Sequence, residues 1–174
     1  VRLVGSEMCI RDRHTDLVPS SVMVSVVTPP VFEPEKDENH LIIWLHGGDQ
    51  DNSYLNRELK PVLENFWAKN DLSSLIVAVP SARRSFYMDY KDGSEKWETF
   101  IMEEHIPHLR EKYRLKTEAK TLIGGYSMGG MGSLRMAFKY PEKFGAIAAI
   151  APAIEPAYQF VKVKSMDREY RSDE

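Results

Sequence analysis

One cysteine, Cys9, stands among 174 residues, so an internal disulfide is excluded. Scarce cysteine suits a reducing compartment. Charge of one sign is also lacking: 23 Lys and Arg against 26 Asp and Glu leave a formal net charge of −3. No basic excess therefore points to nucleic acid or an anionic membrane surface. No apolar run is long enough to cross a bilayer. Repeats and low-complexity tracts are missing. A secretory signal is not legible either, because Val1–Arg13 (VRLVGSEMCIRDR) has neither an apolar core nor a small-residue cleavage site. The compartment expected by default is the cytoplasm.

What remains is ordinary globular composition, 43% hydrophobic and 28% charged, sufficient for one domain. The opening stretch is odd. MCIRDR reads as translated linker, so Val1–Arg13 is set apart as a non-native or disordered extension, and the domain is taken as 14–174. The chain does not begin with Met, which fits a partial gene model.

From Ser21 the pattern is regular. Val22, Val24 and Val26 alternate with Met23, Ser25 and Val27, which predicts a strand closed by Pro29-Pro30. A polar loop follows over Glu33–Asn39. Leu41–Leu45 (LIIWL) and Leu75–Val79 (LIVAV) are short continuous apolar runs, the mark of strands buried on both faces. Between them, Leu55, Leu59, Val62, Leu63 and Phe66 recur at helical spacing. Trp97–Tyr113 predicts a second helix, with Ile101, Ile106, Leu109 and Tyr113 on one side; Pro107 should kink it or mark its edge. Thr121–Tyr126 predicts a strand, Met128–Tyr140 a helix, and Ala146–Ile150 a last strand. Glu155–Glu174 shows no clear periodicity. The alternation implies an α/β fold with a mostly parallel sheet covered on both faces.

Gly125-Tyr126-Ser127-Met128-Gly129 matches G-x-S-x-G between a strand and a helix. A strand that turns this sharply brings backbone close to the positions two before and two after the serine, so only small residues fit there. The serine then stands above the sheet edge, near the positive end of a helix dipole. Acyl transfer also needs oxyanion donors. One should be the N–H of Met128, the residue after the nucleophile. The second should come from His46-Gly47-Gly48-Asp49 after the LIIWL strand: Gly48, with Asp49 as the fallback. A plain glycine turn is the competing reading of that loop. His46 precedes the serine, whereas this kind of triad runs serine, acid, histidine, so His46 reads as structural.

LIIWLHGG, SFYMDY, WETFIMEEHIPHL and GGYSMGGMGSLRMAFKYPEKFGAIAAIAP together resemble the Putative esterase family of α/β hydrolases, which includes S-formylglutathione hydrolase (esterase D), tributyrin esterases, and feruloyl and acetylxylan esterases. The likeness covers roughly Ser21 to Pro156. It implies a three-layer α/β/α sandwich, Ser127 as nucleophile, and Gly48 and Met128 at the oxyanion positions. It also puts the Ser85–Tyr90 loop near the substrate cleft, where Phe86 and Tyr87 would line an acyl or aromatic pocket. The substrate would be a small-molecule ester or an acylated sugar, with no metal and no cofactor.

One departure concerns the triad. Only 47 residues follow Ser127 and none is histidine; His14, His40, His46, His105 and His108 all precede it. Asp167 and Asp173 follow, but neither ends a recognisable buried strand. The chain is therefore expected to be a piece of a hydrolase domain, incomplete at its C-terminal side and lacking the triad acid and base. Two alternatives stay open: an acyltransferase on the same scaffold, and a non-catalytic binding module.

Three further signals are weighed. His105 and His108, with Glu103 and Glu104, could share a metal but read as a solvated polar face. Arg83-Arg84 could bind an anionic substrate group or be a surface pair. Met128, Met131 and Met136 read as core packing.

Overall fold

The computed structural model describes residues 8–30, 32, 39–69 and 75–154. Six strands form one sheet: β1 (Met8–Arg13), β2 (Val22–Val27), β3 (His40–Leu45), β4 (Leu75–Pro80), β5 (Thr121–Tyr126) and β6 (Ala146–Ile150), in the spatial order β1-β2-β4-β3-β5-β6. The β4–β3, β3–β5 and β5–β6 pairs are parallel; β2 runs antiparallel to β4, and β1 to β2. Parallel neighbours need crossovers, and the helices supply them. These are α1 (Lys60–Ala68), α2 (Trp97–Thr99), α3 (Ile106–Lys112) and α4 (Met128–Lys139). The three-layer fold read from the alternation is thus realised over the described residues.

The continuous apolar runs are continuous because both faces are covered. Leu41, Ile43 and Leu45 of β3 join one core with Ile76, Ala78, Ile123, Phe100, Ile101, Leu109, Met128 and Met136. Ile42 and Trp44 point the other way, against a second core of Val27, Leu55, Leu63, Trp67, Leu75, Val77 and Val79. Met128 and Met136 are core residues, as their spacing implied. β6 differs: four of its five residues are exposed, and Ile147, Ile150 and nearby Phe138 and Ile154 present apolar surface.

Met8–Arg13, set apart in the sequence reading, forms the outer strand, with Arg13 opposite Val22 and Met8 opposite Val27. The free edge of β2 leaves unpaired backbone groups that six extended residues satisfy. Glu33–Asn39 apart from Asn39, and all of Glu155–Glu174 with Asp167 and Asp173, lie outside the described residues.

Pro107 marks an edge. It is the second residue of α3, and the turn before it, Phe100–His105, is π-helical. Pro61 stands at the same place in α1, after the π-helical turn Leu55–Leu59. A proline within a helix has no N–H and crowds the carbonyl four residues back. In both helices the wider turn lies just ahead of the proline, where that crowding falls.

His105 corrects the sequence reading of a solvated polar face. It is 1% exposed, stacked on Phe100 at 5.5 Å, and among the described residues neither ring nitrogen has a partner. Position explains this: His105 is four residues after Ile101 and four before Leu109, both buried, so it shares their stripe whatever its polarity. Burial above all, then the charges of Arg13 and His108, lowers its pKa from 6.5 to about 3. The unfolded chain therefore takes up a proton below pH 6.5 that the folded chain refuses until about pH 3, so stability falls with pH across that window. The slope reaches about 1.4 kcal/mol per pH unit. His46, also lowered chiefly by burial, adds with the same sign. Urea midpoints between pH 6.5 and 4.5 should fall less steeply for His105→Leu than for the parent chain; parallel curves would show that His105 does not carry the acid sensitivity.

Candidate active site

β5 passes into α4 through one residue, Ser127, with φ 52° and ψ −114°. A side chain other than glycine's is strained there, at a cost of about 1–3 kcal/mol. The surroundings hold it in place. Ser127 N–H donates to the Ile150 carbonyl at 3.0 Å, and its own carbonyl accepts Met131 N–H at 3.1 Å and Ala153 N–H at 3.0 Å. The hydroxyl makes no capping hydrogen bond to the helix it starts. Met128, buried, is the first residue of α4, so its N–H lacks the carbonyl a turn back that interior residues use.

The glycine spacing has identifiable causes. A Cβ on Gly125 would sit 2.6 Å from the Leu45 carbonyl oxygen and overlap the Gly129 backbone. A Cβ on Gly129 would overlap the same Leu45 oxygen and lie 2.7 Å from that of His46. One on Gly130 would be 3.0 Å from Pro152 Cα. The turn is thus pressed against the end of β3, and Leu45 pairs in register with Gly125.

Beyond Leu45 lies the His46–Asp49 loop. Buried His46 bolts it down. Its Nδ1 lies 2.7 Å from the Gly47 carbonyl, and its Nε2 accepts Ala82 N–H at 2.9 Å. A carbonyl only accepts and an amide only donates, so Nδ1 carries the proton and the ring is neutral. This agrees with the structural role read for His46. Gly47 spends its N–H on Gln50 Oε1 at 2.8 Å, and the next residue, Gly48, is half-buried. A Cβ on Gly47 would meet the Tyr126 ring at 3.2 Å, which places this loop beside the serine turn.

The third loop follows β4. Arg83, Phe86 and Tyr87 all have positive φ, 48°, 52° and 56°. Phe86 and Tyr87, expected to line a substrate pocket, are both core residues at 7% and 0% exposure. The Tyr87 hydroxyl donates to the His46 carbonyl at 3.3 Å, and a Cβ on Gly132 would meet its ring at 3.0 Å. In this structure Tyr87 fills the space between α4 and the His46 loop and offers no free face to a ligand. The SFYMDY motif forms this loop, and Phe86 and Tyr87 turn into the core.

Glu98 was not singled out from the sequence. It is 2% exposed and binds Arg135 at 2.8 Å, Lys139 at 2.6 Å and the Tyr140 hydroxyl at 3.0 Å. It fixes α4 from its C-terminal half while the glycines fix the start. A lone Glu in a helical pattern carries no sign of burial, and its partners lie 37 to 42 residues away. The histidines do not gather at Ser127. His46 and His105 are buried as described, and His40 opens β3, at the opposite end of the sheet. His14 and His108 line a separate cavity of about 340 Å³ with Val24, Val26 and Leu109.

The loops after β3 and β4 and the Ser127 turn after β5 all leave the carboxyl ends of parallel strands. β4 and β5 flank β3, so the chain reverses direction across the sheet at this point, where α/β folds place their ligands. The fold is that of the α/β hydrolases, as solved structures show. A ferulic acid esterase superposes with TM-score 0.76 at 23% identity over 86% of this chain and 60% of that one. S-formylglutathione hydrolase from Agrobacterium tumefaciens gives 0.71 at 20% identity over 88% and 61%. The chain belongs to the family described as Putative esterase, which matches residues 17–172. Among curated relatives, an acetyl esterase of Caldicellulosiruptor saccharolyticus is 33% identical over 100 residues, 57% of this chain and 36% of that protein. The diacylglycerol acyltransferase/mycolyltransferase Ag85A of Mycobacterium leprae (strain TN) is 28% identical over 94 residues, 49% and 28% of the two chains. The chain thus spans about a third of the length of the curated relatives and about three-fifths of these solved structures.

Gly129→Ala must drive a methyl group into backbone, not into a movable side chain. Urea denaturation should show a loss above about 3 kcal/mol, or no folded protein at all. Gly48→Ala meets only the Arg84 side chain, at 3.3 Å, and should stay within about 1 kcal/mol of the parent. Equal costs would mean that the turn is not pressed on β3 as described.

Proposed function

We propose that this chain carries the nucleophile and oxyanion part of a serine esterase site. The observation that supports it most is the strained Ser127 between glycines that only close backbone packing requires. Ser127 Oγ attacks the carbonyl carbon of a carboxylic ester or thioester, and the carbonyl π electrons move to oxygen. The N–H groups of Met128 and Gly48 hold that oxyanion. Loss of one such donor typically costs about a hundred- to a thousandfold in rate. Collapse of the intermediate expels the alcohol or thiol, which takes the proton first removed from Ser127. Water then attacks the acyl-serine and releases the acid. These steps call for no metal or organic cofactor.

The proton must pass through a base. We assign it, with its orienting acid, to residues outside these 174, since His46 is locked by two backbone partners and the other histidines lie elsewhere. The substrate class is a small-molecule ester or an acylated sugar, in keeping with an acetyl esterase relative and with a feruloyl esterase structure solved with ferulic acid. A second reading, acyl transfer to an alcohol, is favoured by the likeness to the mycolyltransferase.

The 174-residue chain should hydrolyse p-nitrophenyl acetate with at most the residual catalysis of base-less serine hydrolases, about 10³–10⁴ over water, and Ser127→Ala should barely change it. Read past codon 174, the source gene should continue in frame into an Asp and a later His. The extended protein should then turn over esters, and Ser127→Ala should reduce that by about a thousandfold or more. Undiminished turnover by the extended Ser127→Ala protein would end the esterase reading. Faster product formation with an added alcohol than with water would select the transferase.

A further inference from the structure

Arg83 and Arg84 stand side by side, but their surroundings differ. Arg83 is committed: its guanidinium pairs with Glu95 at 2.9 Å, and the other Glu95 oxygen accepts the Trp97 indole N–H. Arg84 is exposed, and among the described residues it has no ion-pair partner. Its stem lies on the His46–Asp49 loop. A Cβ at Gly48 would meet Arg84 Nε at 3.3 Å and Cγ at 3.4 Å. The missing side chain at Gly48 thus makes room for an arginine beside the residue whose amide is assigned to the oxyanion. The loop that presents Arg84 is stiff. Arg83 before it and Phe86 and Tyr87 after it are held at positive φ, and Tyr87 is tied to the His46 carbonyl.

We propose that Arg84 is a specificity-determining residue that selects esters carrying a free carboxylate within a side-chain's length of the scissile carbonyl. The inference rests on the esterase reading above and adds the charge of the substrate. A guanidinium is permanently charged, and its planar fork matches a carboxylate with two parallel hydrogen bonds. The carboxylate of Glu95 is already taken, so a carboxylate meeting Arg84 would have to come with the ligand. The 150 Å³ cavity that Arg84 lines with Arg83, Ser85, Tyr90 and Glu95 is too small for a whole substrate, so only a substituent would be read here.

The test uses methyl ketones, which present the carbonyl but cannot be hydrolysed: 4-oxopentanoate with a carboxylate, and neutral 2-hexanone. Binding is followed through the backbone amide signals of Gly48 and Met128 in the 174-residue chain, in Arg84→Gln and in Arg83→Gln. 4-Oxopentanoate should bind the parent about three- to tenfold more tightly, with the advantage shrinking as salt is added. Arg84→Gln should bring the two ketones level, and Arg83→Gln should keep the preference. Both substitutions are on exposed side chains, so folding should not intervene. Equal binding of the two ketones by the parent, or a preference that survives Arg84→Gln, would overturn the role of Arg84 while leaving the esterase site intact. If neither ketone moved the Gly48 or Met128 amide, the site assignment itself would fail, and this inference with it.

Discussion

Everything at the candidate site depends on how closely the turn after β5 approaches the last carbonyl of β3. The Leu45 oxygen occupies the space where Cβ atoms of Gly125 and Gly129 would lie. The same tight junction holds Ser127, between those glycines, in its unfavourable backbone conformation. The strain is local, whereas the restraints are distributed: three backbone hydrogen bonds to Ser127 and, farther along the helix, the buried carboxylate of Glu98. A conformation that costs energy by itself persists because the rest of the structure over-determines it.

The His46–Asp49 loop depends on the same junction from the other side. His46 follows Leu45 directly, and its ring links that loop to the one after β4, while Tyr87 links back to the His46 carbonyl. Neutral imidazole suits this role, since it donates through one nitrogen and accepts through the other with no charge to bury. Three loops that are far apart in sequence thus behave as one rigid rim around Ser127.

The fold was legible because its signals are steric and periodic. Continuous apolar runs at Leu41–Leu45 and Leu75–Val79 gave the buried strands, and G-x-S-x-G gave the turn together with its reason. What escaped was what depends on distant partners. Glu98 reads as a surface charge until Arg135 and Lys139 arrive from another helix. His105 misled because polarity was allowed to outweigh its spacing from Ile101 and Leu109. Phe86 and Tyr87 were read as pocket lining, but a motif does not say which way a side chain faces, and both residues, at positive φ, lie in the core.

The outer edge of β6 has a practical side. Its backbone groups on one side have no strand beside them among the described residues, and Ile147, Ile150 and Phe138 lie exposed around it. Short, uncharged and aliphatic (AIAAI), it has none of the lysines, prolines or bulges that proteins use to discourage strand addition. Among the described residues, that edge is therefore the place where a further strand would extend the sheet.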